Sequence, residues 1–324
     1  MTELQITVLT APDENELPGL EQLDGRAAVR YARDETSLAQ LLPDTDVLVV
    51  TDFRTEMLER VWPNEHRIQW VHATSAGVDA LMFPALVDSD IVVTNARGIF
   101  DRGIAEYVLG TILMFAKDTL GNLRYQREHQ WRHRETSLAR NARVLVVGAG
   151  SIGREVGSLL QAVDMDVIAT ARHEREDEHF RHVYAQDRLP ELLPEVDYVV
   201  ITAPLTEQTR GLFDQTMMEY MTPSARLINV GRGPIVNTDD LVAALRDGII
   251  AGAALDVFEE EPLPEDHALW DLDNVMMSAH MAGDFIGWRR ALGMQFVDNF
   301  LRWLSGEGLY NTVDKHNGYV TTTQ

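Results

Sequence analysis

The stretch Arg143-Val144-Leu145-Val146-Val147-Gly148-Ala149-Gly150-Ser151-Ile152-Gly153 decides the fold. A short apolar run enters G-x-G-x-x-G directly, and a helical pattern follows. Each glycine has a separate physical task. The first permits a tight turn, the second lets the backbone approach a pyrophosphate, and the third lets the helix pack closely on the strand. Peptide N–H groups at the start of that helix, those of Ser151 and Ile152, then offer an anion site. Strand, glycine turn and helix in this order predict a dinucleotide-binding unit.

Outward from this stretch the pattern is repeated β-α alternation. Before it, Ile6-Thr7-Val8-Leu9, Asp46 to Val50, Ile68 to His72 and Ile91 to Thr94 read as strands, with a helix near Ser37 to Leu42. After it, strands are expected at Asp166 to Ala169, Tyr198 to Ile201, Arg226 to Asn229, Gly252 to Leu255 and Val275 to Ser278. A long apolar helix spans about Ile99 to Lys117, a polar Arg-rich segment follows, and Trp288 to Leu304 reads as one amphipathic helix. Apolar strands alternating with helices predict parallel sheets covered on both faces. The expectation is an α/β protein of two Rossmann-like doubly wound domains separated by a cleft.

The chain has 324 residues and a formal net charge of −23, with only two lysines, Lys117 and Lys315. Its hydrophobic content of 45% is ordinary for a protein that buries a full core. High acidity with normal hydrophobicity predicts adaptation to molar salt, where screening suppresses self-repulsion. A polyanion such as nucleic acid is excluded as a partner by the same charge. No apolar run reaches membrane-spanning length and the first residues lack a secretory pattern, so a cytoplasmic location is expected. The absence of cysteine removes disulfides, thiolate metal sites and a cysteine nucleophile. No metal-binding motif is found.

The second strand of the nucleotide unit sets the cofactor expectation. NAD-binding units place a carboxylate there for the ribose hydroxyls. Here the strand runs into Arg172-His173 instead. Arginine pairs with a phosphate through two parallel hydrogen bonds, whereas a carboxylate would repel it. NADP(H) is therefore the expected cofactor, with NAD(H) as the alternative if Arg172 and His173 are only solvated.

Three later segments place reactive groups just after strands, where open α/β sheets bind ligands. They are Asn229-Val230-Gly231-Arg232-Gly233, Asp256-Val257-Phe258-Glu259-Glu260-Glu261-Pro262 and Ser278-Ala279-His280-Met281-Ala282-Gly283. Each alone has a structural explanation. Together, behind a dinucleotide fingerprint, Arg232, Glu261 and His280 are the set that reduction of a 2-oxo acid requires. Arginine orients a carboxylate, histidine exchanges a proton near neutrality, and a carboxylate fixes the histidine tautomer.

These segments resemble those of the D-isomer-specific 2-hydroxyacid dehydrogenases, which include glyoxylate/hydroxypyruvate reductases. Further matches are Ser75-Ala76-Gly77-Val78-Asp79, Val93-Thr94-Asn95 with Gly98, Ala105-Glu106, and Pro204-Leu205-Thr206 with Thr209. The resemblance implies a catalytic trio of Arg232, Glu261 and His280. It implies that backbone N–H groups of Ala76 and Gly77 bind the substrate carboxylate and that Phe53 touches the substrate. On the cofactor side it implies Pro204, Thr209, Val230, Asp256 and Gly283, beside the residues already read from the fingerprint and the second strand, Gly148, Gly150, Ser151, Ile152, Gly153, Arg172 and His173. The implied layout is a substrate domain over residues 1–98 and 288–324, with a cofactor domain over 99–287 inserted into it and homodimerisation through the latter. The implied reaction interconverts 2-oxo acids and D-2-hydroxy acids. A nucleotide-sensing corepressor on the same fold is the alternative.

Overall fold

The computed structural model describes residues 3–51 and 55–320, so Phe53 lies outside the described residues. The chain divides into two compact units, one of Met1–Phe100 with Phe285–Gln324 and one of Asp101–Asp284.

The first unit carries a five-stranded parallel sheet of β1 (Leu4–Leu9), β2 (Ala27–Ala32), β3 (Val47–Val50), β4 (Trp70–Ala73) and β5 (Val92–Thr94), in the order β2-β1-β3-β4-β5. Side chains alternate across a strand. Thus Leu48 and Val50 join one core, while Val47 and Val49 join the other. The second core is closed by the helix Trp288–Leu304, whose Leu292, Phe296 and Phe300 recur every four residues on one face. His72 is fully buried in this sheet, with Nδ1 2.8 Å from the Thr94 hydroxyl. Burial pulls its pKa down to about 3, so the ring is neutral.

The second unit carries a seven-stranded parallel sheet. Its strands are β6 (Arg143–Val147), β7 (Asp166–Ala171), β8 (Val183–Ala185), β9 (Tyr198–Ile201), β10 (Arg226–Asn229), β11 (Gly252–Leu255) and β12 (Val275–Met277). The order is β12-β11-β10-β9-β6-β7-β8. From β6 the chain first winds outward through β7 and β8, then returns to place β9 on the other side of β6. The glycine-rich turn leaves β6 at this reversal, where doubly wound sheets open a crevice.

Both sheets are the doubly wound α/β architecture expected from the sequence. Two strands, β2 and β8, were not foreseen. Both are edge strands, with one neighbour each. Half-exposed β2 reads Ala-Ala-Val-Arg-Tyr-Ala and β8 has three residues, so neither shows the continuous apolar run of a central strand. The Arg-rich segment also begins as a helix, Thr119–Arg127, before becoming irregular.

Candidate active site

The glycine-rich loop has the shape its glycines predict. Gly148 has φ +111°, and a Cβ there would lie 2.7 Å from the Ala203 nitrogen. A Cβ on Gly153 would lie 2.0 Å from the Gly148 carbonyl oxygen, so the helix Ser151–Gln161 could not approach. At Gly150 an added Cβ would meet nothing within 4 Å. This glycine therefore leaves open space beside the helix start rather than relieving a clash. No side chain caps that helix from Gly150, so its first N–H groups remain available to an anion. The Ser151 hydroxyl is engaged, donating to the Asp101 carboxylate through a very short contact. Two glycines that hold the fold and a third that keeps a space clear make a cradle fitting a pyrophosphate.

Other loops at this sheet edge are stapled by their own side chains. The Thr209 hydroxyl donates to the Pro204 carbonyl at 2.7 Å and accepts the Thr206 N–H at 2.8 Å. Its principal capacity is spent shaping the loop after β9. After β7, Arg172 and His173 are both exposed. Arg175, which belongs to no motif in the sequence, donates from Nη2 to the Ala149 carbonyl at 2.9 Å, within the glycine-rich loop itself.

At the far end of the sheet, glycines bring the reactive loops together. After β10, a Cβ on Gly231 would lie 2.9 Å from the Ala203 oxygen, and one on Gly233 would lie 1.9 Å from the Phe258 carbonyl. Gly231 thus lets the Arg232 loop pack on the loop after β9, and Gly233 lets it press against the Phe258–Glu261 loop. Arg232 donates from Nη1 to the Gly231 carbonyl at 2.9 Å. Val230, at the strand end, is buried and donates its N–H to the Ile201 carbonyl.

His280 Nδ1 lies 2.8 Å from Glu261 Oε2, while Glu261 Oε1 accepts the Phe258 N–H at 2.9 Å. Burial pushes the Glu261 carboxyl up. The hydrogen bonds from His280 and Phe258, and the charges of His280 and Arg232, outweigh it and hold the group below the usual glutamate range. An ionised Glu261 requires a proton on His280 Nδ1, which leaves Nε2 as the nitrogen able to exchange a proton with a ligand.

His280 has φ +51°, a left-handed backbone uncommon outside glycine. Asp256 holds this turn. It is 3% exposed; its Oδ1 accepts the Ser278 hydroxyl at 2.6 Å and the Met281 N–H at 2.9 Å, and its Oδ2 accepts the Ala282 N–H at 2.9 Å. The His280 N–H adds a 2.8 Å bond to the Asp256 carbonyl. Because Ser278 donates to the carboxylate, it must accept from Tyr107, whose hydroxyl is 2.6 Å away. Burial pushes Tyr107 up to about 12, which keeps it a donor. A carboxylate offers about four lone-pair positions. Three are used here, which leaves one acceptor position on Oδ2. Gly283 is met by the helix Asp101–Ala116 at Gly103, where a Cβ would lie 2.8 Å from the Gly283 oxygen. Neither Tyr107 nor Ser278 had a role legible in the sequence, since one sits in an apolar helix and the other opens the His280 segment as an ordinary residue after β12.

In the first unit, the loop after β4 presents Ala76 and Gly77, both half-buried. Asn95 Nδ2 donates to the Ala76 carbonyl at 2.6 Å, and the Ser75 hydroxyl donates to the Gly77 carbonyl at 2.6 Å. In a trans peptide the N–H points opposite the carbonyl. Gripping the Ala76 carbonyl therefore fixes the direction of the Gly77 N–H.

Among the described residues no group of three or more metal-binding side chains occurs, and no helix is long and apolar enough to cross a membrane. Residues 109–282 match the family described as D-isomer specific 2-hydroxyacid dehydrogenase, NAD binding domain. The chain is 28% identical to a glyoxylate reductase of Pyrococcus horikoshii over 89% of its own length and 90% of that protein's. It superposes with a TM-score of 0.82, at 31% identity and over 98% of its length and all of the other chain, on a D-isomer specific 2-hydroxyacid dehydrogenase from Xanthobacter autotrophicus solved with NADPH and MES. An NADPH-dependent glyoxylate/hydroxypyruvate reductase from Sinorhizobium meliloti, solved with NADP and sulfate, gives 0.86 at 26% identity over 98% and 100%. With more than half its length in the family match and both sheets shared with these structures, the chain belongs to the D-isomer specific 2-hydroxyacid dehydrogenase family.

Proposed function

We propose that this protein is an NADP(H)-preferring reductase of small 2-oxo acids, yielding D-2-hydroxy acids, with His280 as proton donor. The observation that carries the reading is the 2.8 Å pairing of His280 with Glu261 on a backbone held by Asp256. A nicotinamide, when bound, would supply the hydride for the carbonyl carbon in reduction and accept it in oxidation. His280, its Nδ1–H kept by Glu261, gives a proton from Nε2 to the carbonyl oxygen and recovers one in reverse. Arg232 attracts the substrate carboxylate and polarises the carbonyl. Asp256 and Val230 hold the carboxamide, Gly283 lies against the ring, and the N–H groups of Ala76 and Gly77 receive the substrate carboxylate. Phe53 is assigned to the substrate side chain on sequence resemblance alone. Ser151 and Ile152 bind the pyrophosphate through their N–H groups. Pro204 and Thr209 line the adenosine half, and Arg172 and His173 receive the 2′-phosphate. That two solved relatives are described with NADPH or NADP supports the cofactor reading.

The test is the initial rate of NADPH and NADH oxidation with a panel of 2-oxo acids in molar KCl. Turnover that favours NADPH supports the reading. Turnover with NADH alone keeps the catalytic trio and removes the phosphate assignment. No turnover with either, in a folded nucleotide-binding protein, overturns the enzyme reading.

The same proposal places the protein in the cytoplasm at high salt, as a homodimer through the cofactor unit. Both lysines in this acidic chain are tied to backbone carbonyls, Lys117 to Ser137 at 2.7 Å and Lys315 to Leu86 at 3.0 Å. Trp131 is fully exposed and Leu138 is 73% exposed, apolar side chains of the Arg-rich segment that a second copy would cover. Light scattering checks the dimer and denaturant unfolding at high and low KCl checks the adaptation: a monomer under all conditions removes the first, and salt-independent stability removes the second.

A further inference from the structure

The loop after β7 carries a run of acids, Glu174, Glu176, Asp177 and Glu178, in the place assigned to a phosphate. Three of the four are exposed. Asp177 differs, because its side chain is 4% exposed. Burying a carboxylate beside an anion site is doubly unfavourable unless cations hold it. Two do so. Arg154, from the first turn of the helix Ser151–Gln161, donates to Asp177 Oδ2 from Nε at 2.9 Å and approaches it with Nη2 at 2.8 Å. Arg175 Nη2 stands 3.6 Å from the same oxygen. Asp177 Oδ1 accepts the His179 N–H at 3.3 Å.

The surroundings make this carboxylate the centre of a rigid assembly. The Ser158 hydroxyl lies 2.7 Å from His179 Nδ1. A Cβ on Gly157 would lie 2.3 Å from the His179 oxygen, so the loop is pressed onto the helix. The Arg175 backbone exchanges two hydrogen bonds with Val183, at 3.0 and 3.2 Å. The residue is therefore anchored at both ends, its backbone by Val183 and its guanidinium through Nη2, which reaches Ala149 and Asp177. A cation held this way loses little conformational freedom when it receives a phosphate.

We propose that Asp177 is a positioning residue for cofactor selection. It holds Arg154 and aims Arg175 along the glycine-rich loop, so that Arg175 joins Arg172 at the 2′-phosphate of NADPH. The inference rests on the NADP(H) reading above. Its sign separates it from a simple charge effect: deleting a nearby negative charge should tighten a phosphate, whereas releasing two arginines should loosen it.

The experiment is titration of NADPH and of NADH by the fluorescence of the bound reduced nicotinamide, in molar KCl, for the parent, Asp177→Asn, Asp177→Glu and Arg175→Gln. Asp177→Asn is expected to weaken NADPH about tenfold, the scale of a charge-assisted hydrogen bond, and NADH less than twofold. Asp177→Glu should recover part of the loss, and Arg175→Gln should reproduce it with Asp177 intact. Tighter NADPH binding by Asp177→Asn, or equal losses for both nucleotides, would overturn the positioning role while leaving the parent's preference in place. If Asp177→Asn does not fold, Arg175→Gln decides, and an unchanged NADPH to NADH ratio in it refutes the proposal. A parent that binds both nucleotides equally would remove the NADP(H) reading, and this inference with it.

Discussion

The two ends of the seven-stranded sheet hold the residues of the proposed site by different means. At the β10–β12 end the grip is on the backbone. Asp256 takes two loop N–H groups and the Ser278 hydroxyl, while Gly231 and Gly233 leave no room for a side chain. At the β7–β8 end the grip is between charged side chains, with Asp177 against two arginines. The first kind of grip tolerates few residue types and so writes itself into short motifs. The second needs only opposite charges at the right distance, and many sequences supply those. The difference teaches where chemistry is fixed and where specificity can drift.

The largest expected effect belongs to the backbone-held end. His280→Ala should lower kcat by about 10²–10⁴, the range of general acid–base catalysis, while NADPH affinity stays within about twofold of the parent. Rapid-mixing assays with nucleotide titration measure both. A variant that kept most of its rate would show that the His280–Glu261 pair is structural, and the contrast between the two ends would lose its chemical meaning.

Glu261→Gln should cost about ten- to hundredfold in kcat/KM, the range of one charge-assisted hydrogen bond. Its pH dependence sharpens the comparison. The folded Glu261 titrates below its ordinary value of 4.5. Its contribution to stability is therefore complete above the unfolded pKa and is lost as pH falls through the lower folded value. The parent should lose stability in this window in acid titrations, and Glu261→Gln should lose less over the same window. Identical acid limbs would mean that the carboxylate is not held by His280 in solution.

Gly233→Ala tests the contact on which that end depends. The added Cβ would sit 1.9 Å from the Phe258 carbonyl, so the Arg232 and Glu261 loops must part. Overpacking of this kind costs about 1–3 kcal/mol, seen as a lower denaturation midpoint, and kcat should fall with it. Unchanged stability and rate would show that the loops separate freely.

The same contrast explains what the sequence made legible. The central strands, the fingerprint turn and the candidate trio were readable because they rest on apolar runs and on glycines with no substitute. Strands β2 and β8 were not, since edge strands need no apolar run. Tyr107 and Ser278 were not, because a hydrogen bond across 171 positions leaves no local trace. Asp177 was hidden by its company: in a run of four acids nothing in composition marks the one that turns inward.

The smallest effect is expected at the charge-held end and is visible only as a ratio. Arg172→Ala should weaken NADPH about tenfold with little change for NADH, because a phosphate contact carries about 1.4 kcal/mol per tenfold in affinity. Turnover at saturating nucleotide should stay close to the parent's, since the adenosine end touches no reacting atom. Raising KCl from dilute to molar should shrink the parent's preference only modestly. A contact pair lies inside even the roughly 3 Å screening length of 1 M salt, whereas diffuse attraction does not. If the preference instead vanished in molar salt, selection would come from the field of exposed arginines and not from a held guanidinium. The β7–β8 end would then be loose, and only the backbone-held end would deserve the description of a built site.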